Sequence, residues 1–145
     1  MVPTLMGRIQ TRVFLLALIG AAVTAAITPI LPVDGPLHDR YRATFIVLAS
    51  VAVLGIGWEL IYHVCMQWRW EKDWPTMFGL LTFVPEGVLV GFLAVLGILP
   101  LLPASVPAWA FIAHFLTVWL AVWLVANGPM RAPFIRWRFR GGRLM

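Results

Sequence analysis

Trp58-Glu59-Leu60-Ile61-Tyr62-His63-Val64-Cys65-Met66-Gln67-Trp68-Arg69-Trp70-Glu71-Lys72-Asp73-Trp74-Pro75 is the stretch on which the reading of this sequence turns. Its first half closes an apolar run from Ala43 to Met66. At 1.5 Å per helical residue that run exceeds the roughly 30 Å hydrocarbon core of a bilayer, so it can span with some tilt. Its second half interleaves Trp68, Trp70 and Trp74 with Arg69, Glu71, Lys72 and Asp73, the composition of a turn in a membrane interface. Glu59 and His63 lie one helical turn apart inside the apolar part. A charged carboxyl at that depth costs about 2.5–3.5 kcal/mol on insertion scales, so protonation or pairing is expected.

Composition supports the same reading over the whole chain. Of 145 residues, 61% are hydrophobic and 12% charged, where a soluble domain carries about 25% charged residues. The mean hydropathy is +0.90. The net charge of +5 does not point to nucleic acid, because the basic residues flank apolar segments rather than line a soluble face. Cys65 is the sole cysteine, which excludes an intramolecular disulfide and leaves it as a small apolar packing residue.

Four apolar segments follow from this: Val13–Leu31, Ala43–Met66, Met77–Leu99 and Ala108–Ala126. They predict an all-α fold, an integral membrane four-helix bundle of two transmembrane hairpins in a single domain. The first segment follows a short basic leader with Arg8 and Arg12. Basic start, apolar centre and Thr24-Ala25-Ala26 also match the order of a signal peptide; a retained span is the reading adopted. With four spans, one side of the membrane carries nine basic residues (Arg8, Arg12, Arg69, Lys72, Arg131, Arg136, Arg138, Arg140 and Arg143) and the other carries Arg40 and Arg42. That bias places both termini in the cytoplasm, and the Arg-, Ala- and Trp-rich usage suggests a bacterial inner membrane.

Counting from the cytoplasmic turn puts Glu59 and Glu86 at matching depths, roughly 13–15 Å into the membrane. His114 is expected at roughly 18 Å, close to that layer, and His63 and Gln67 step from Glu59 towards the cytoplasm. Each residue has small or polar neighbours on its own helix face: Gly55 beside Glu59, Gly79 and Thr82 beside Glu86, Ala110 and Thr117 beside His114. These faces point inward. Two close carboxylates in a low dielectric cannot both stay charged, so at least one is expected to hold its proton, with His63 or His114 favouring one ionised carboxylate. Three roles compete for this cluster: helix-to-helix glue, a proton relay from Glu59 through His63 and Gln67 to Asp73, and a metal or haem site using Glu59, His63, Glu86 and His114. No ligand spacing supports the last, and no cofactor is expected. No nucleophile elbow or phosphate loop supports catalysis.

The tail from Arg131 to Met145 alternates arginine with aromatics, in Arg136, Trp137, Arg138, Arg140 and Arg143. Such a segment at a cytoplasmic surface is expected to bind anionic headgroups, each arginine contributing about 1 kcal/mol, or to dock on a partner. The expectation for the whole chain is a non-enzymatic subunit or scaffold of a membrane complex or homo-oligomer. A proton-coupled transporter or channel built on Glu59 and Glu86 is the alternative, and a lipid-modifying or metal protein comes third.

Overall fold

The computed structural model describes residues 4–68, 76–102, 106–134 and 141–144, with the side chains of 76–78 excepted. The described residues form helices and no strand. Helix α1 is Leu5–Ile27, α2 is Leu37–Gln67, α3 is Thr76–Leu81, α4 is Phe83–Val95 and α5 is Ala108–Asn127. Three of them, α1, α2 and α5, are long and apolar enough to cross a membrane. Helices α3 and α4 form the fourth rod, broken at Thr82.

The break has a local cause. Pro85 has no N–H, and its ring occupies the space an unbroken helix would give the Leu81 carbonyl. The helix therefore stops and restarts, and Glu86 falls in the first turn of α4. The expected continuous third span from Met77 to Leu99 is accordingly two helices, and the helical rod ends at Val95. Helix α1 also differs from expectation. It begins at Leu5, with Thr4 accepting from the Gly7 N–H as its N-cap, so Arg8 and Arg12 belong to the helix and not to a leader.

Helix α1 contains one π-helical turn, Leu16–Gly20. In an α-helix a twelve-residue step advances about 120° beyond whole turns, which would put Thr24 on a different face from Arg12. A π turn absorbs about one extra residue and brings that offset down to about 20°. Arg12 and Thr24 then both face the interior, and Thr24 is fully buried.

Helix α1 packs against α2 and α5, and α4 packs against the same two. Helices α1 and α4 therefore stand at opposite corners of the bundle. The apolar core joins Leu16, Val47, Leu48, Val51, Val90, Ala94, Phe111, Phe115 and Val118. Gly87 and Gly91 on α4 receive the edges of Phe115 and Phe111, and a Cβ at either glycine would lie 2.7 Å from the ring. Outward faces carry Leu18, Val53, Leu60, Val64, Val88, Phe92, Ile112, Leu116, Leu120 and Leu124, all exposed. A chain apolar both inside and out is one suited to lipid.

Candidate functional site

Glu59 and Glu86 share one partner, the Arg12 guanidinium. The guanidinium of Arg12 crosses from one corner of the bundle to the opposite one. Its Nη1 donates to Glu86 Oε2 at 2.6 Å and its Nη2 donates to Glu86 Oε1 at 2.7 Å. This is the two-pronged geometry for which guanidinium and carboxylate are matched. On its other edge, Nε and Nη2 both lie 2.9 Å from Glu59 Oε1. Arg8, one turn earlier on α1, donates from Nε to Glu59 Oε2 at 2.5 Å and from Nη1 to the Met66 sulfur at 2.8 Å. Two cations thus balance two carboxylates. Side-chain exposure is 9% for Arg12 and 1% for Glu86, so this pair is cut off from solvent.

Neighbouring elements shape the space for Arg12. Gly55 on α2 lies against the guanidinium, and a Cβ there would collide with Arg12 Nη1. From α5 the Trp119 ring sits 5.8 Å from the guanidinium carbon, within cation–π range. Trp119 ends a stacked series with Phe115 and Phe111, at centroid separations of 5.8 and 5.4 Å. The Tyr62 hydroxyl lies beside Glu86 and donates to the Thr82 carbonyl at 3.4 Å, at the point where the fourth rod is broken. Helices α1, α2, α4 and α5 therefore all contribute to one layer.

The other expected members of the site lie elsewhere. His114 does not join the glutamates. Its Nε2 is 3.0 Å from Thr24 Oγ1 in a second, uncharged layer. There Thr28 Oγ1 donates to the Thr24 carbonyl at 2.6 Å and lies 2.8 Å from Thr44 Oγ1. A cavity of about 10 Å³, room for roughly one water, adjoins His114 and Thr44. His63 is half-buried and its Nδ1 has no hydrogen-bond partner. Gln67 is exposed at the end of α2, and Asp73 lies outside the described residues. Among the described residues no three His, Cys, Asp or Glu side chains stand close enough to hold a metal ion. The oxygens that a metal would need on Glu59 and Glu86 are taken by guanidinium groups.

Of the tail residues, Arg131 donates to Asn127 Oδ1 at 3.0 Å and Arg143 donates from Nε to Thr4 Oγ1 at 3.4 Å; both remain exposed. Arg136, Trp137, Arg138 and Arg140 lie outside the described residues.

Reading the sequence by depth missed Arg8 and Arg12. A usable signal was present: two carboxyls in apolar segments require two cations, and these arginines, spaced i and i+4, flank an apolar run on one helical face. Comparison with known protein families, curated proteins and solved structures finds no match to this chain.

Proposed function

We propose that this chain is a non-enzymatic transmembrane subunit or scaffold, a four-rod unit of the bacterial inner membrane with both termini in the cytoplasm. The observation that carries this reading is the Arg12 guanidinium, held two-pronged on Glu86 and edge-on to Glu59. A relay needs ionisable groups with lone pairs open to water at successive steps. Here both Glu86 oxygens are engaged, Arg8 covers the far oxygen of Glu59, and Gln67 faces away. An arrangement that commits every charge to another helix fixes helix order and register. The outward apolar faces are then the surfaces offered to lipid or to other membrane proteins.

Orientation rests on the basic bias. With Arg8 and Arg12 committed to Glu59 and Glu86, the bias is seven against two and keeps its direction. The exposed Arg131 and Arg143 suit anionic headgroups on the same side.

The test is mild cross-linking and purification from native membranes. Recovery in a defined larger assembly is expected. A chain recovered alone, and moving protons or solute across liposomes, overturns the scaffold reading. One observation favours that second reading, a proton-coupled transporter: His63 Nδ1 is buried without a partner, one turn from Glu59. If His63→Ala abolishes such transport while the bundle stays assembled, the relay replaces the scaffold.

A further inference from the structure

The chain's last described residues lie against its first helix. Gly141 and Gly142 are both buried, although they fall within the last five residues of the sequence. The Thr4 N–H donates to the Gly141 carbonyl at 2.9 Å, and the Thr4 hydroxyl donates to the same oxygen at 3.2 Å. The Thr11 hydroxyl donates to the Gly142 carbonyl at 2.9 Å, and the Leu144 N–H donates to Gln10 Oε1 at 3.1 Å. Thr4, Gly7 and Thr11 form one stripe of α1, and the two glycines run along it. Both have positive φ, 64° and 83°, which other residues adopt only with strain. Contact is so close that a Cβ on Gly7 would collide with the Gly141 carbonyl oxygen, and one on Gly141 would lie 2.8 Å from Thr4 Cγ2. Helix end, glycine pair and two threonines therefore form a fitted seat for a peptide strand.

The face next to this stripe carries Arg8 and Arg12, about 100° around the helix from Gly7 and Thr11. The first turns of α1 are thus gripped on one side by the terminal segment and on the neighbouring side by Glu59. Arg8 is the more exposed of the two arginines, at 12% of its side chain, and sits nearer the gripped end. We infer that Gly141–Leu144 is a detachable latch that holds the start of α1 in the bundle and governs solvent access to the Arg8–Glu59 end of the ion-pair layer. With the latch seated, Arg8 stays on Glu59. With it lifted, the two threonine donors and the Thr4 N–H lose their acceptors, the first turns of α1 fray, and Arg8 meets water. Arg12, anchored on Glu86 across the bundle, stays in place.

Three variants in lipid nanodiscs test this: truncation after Arg140, Thr11→Val, which removes the donor at nearly constant shape, and Thr11→Ser, which keeps it. The readouts are the rate at which phenylglyoxal modifies Arg8 relative to Arg12, and backbone hydrogen exchange over residues 4–11. Truncation is expected to raise both Arg8 modification and exchange roughly tenfold, as for opening of a local unit. Thr11→Val should give a smaller rise, Thr11→Ser should stay near the parent, and Arg12 should be unchanged throughout. Arg8 as protected after truncation as before overturns the latch. So does a Thr11→Ser chain that behaves like Thr11→Val. If the truncated chain does not fold, the Val and Ser pair decides the matter alone.

Discussion

Among the described residues the bundle contains two buried polar layers, and they are built on opposite principles. One layer is ionic: Arg8, Arg12, Glu59 and Glu86, drawn from α1, α2 and α4, with Trp119 of α5 beside them. The other is neutral: Thr24, Thr28, Thr44 and His114, drawn from α1, α2 and α5. Helix α1 enters both, through residues roughly 17 Å apart along its length. Apolar Leu16, Leu48 and Val118 belong to the core between Arg12 and Thr24. In the ionic layer every member depends on the full set, because removing one charge strands another in a low dielectric. In the neutral layer each hydroxyl needs one partner, and most find it on a backbone carbonyl one turn away. The first layer therefore specifies which helices meet, while the second adjusts how closely they sit.

The largest effect should come from Arg12→Met. It leaves Glu86 buried with no cation, and breaking such a pair typically costs about 3–5 kcal/mol. Loss of the folded, monodisperse species on heating in detergent is the measurement. The double variant Arg12→Met/Glu86→Gln, which leaves Arg8 with Glu59 as a balanced pair, should regain most of that loss. A double variant no better than the single one would break the ionic side of the comparison.

Gly55→Val should come next. A side chain there enters the volume of the Arg12 guanidinium, and such overpacking costs about 1–3 kcal/mol. The change adds no polar group, so a melting point unaltered in detergent would mean that Arg12 has room to move and that the layer is loosely set.

Thr24→Val should be mildest, about 1 kcal/mol, by loss of the hydrogen bond with His114. Its coupling to Arg12→Met in a double-mutant cycle sharpens the comparison further. With the apolar core between them the layers should act independently, giving a coupling below about 0.5 kcal/mol. A larger coupling would show that the layers respond as one.

How far the sequence discloses this arrangement depends on the residue. Glu59 and Glu86 are legible as partners, because helical rise alone sets their depths and Gly55 marks the inward face. Pro85 is visible too, although a proline inside the expected span Met77–Leu99 can kink a helix without ending it, so the break at Thr82 is not forced. Arg8 and Arg12 are not legible by the usual rule. That rule sends arginines near a helix end to the interface, and only the unsatisfied carboxylates deeper in the chain say otherwise. The placement of His114 fails for a different reason: its depth estimate differs from that of Glu86 by only about 3 Å, roughly half a helical turn, and yet in the bundle it has another set of neighbours. Nothing in Leu16–Gly20 announces a π turn, since its residues are compatible with an ordinary helix.

That wide turn has a consequence for the length of the chain. Helix α1 holds one residue of slack between the two layers, and it holds it in one place. Deleting Ala17 should let the helix close into a regular spiral with Arg12 still aimed at Glu86 and Thr24 still aimed at His114, at the cost of a small axial shift. Deleting Ala22, beyond the slack, should swing Thr24 and Thr28 about 100° off their partners while Arg12 stays in place. The site where a residue can be removed without turning one end of α1 against the other is confined to a single turn.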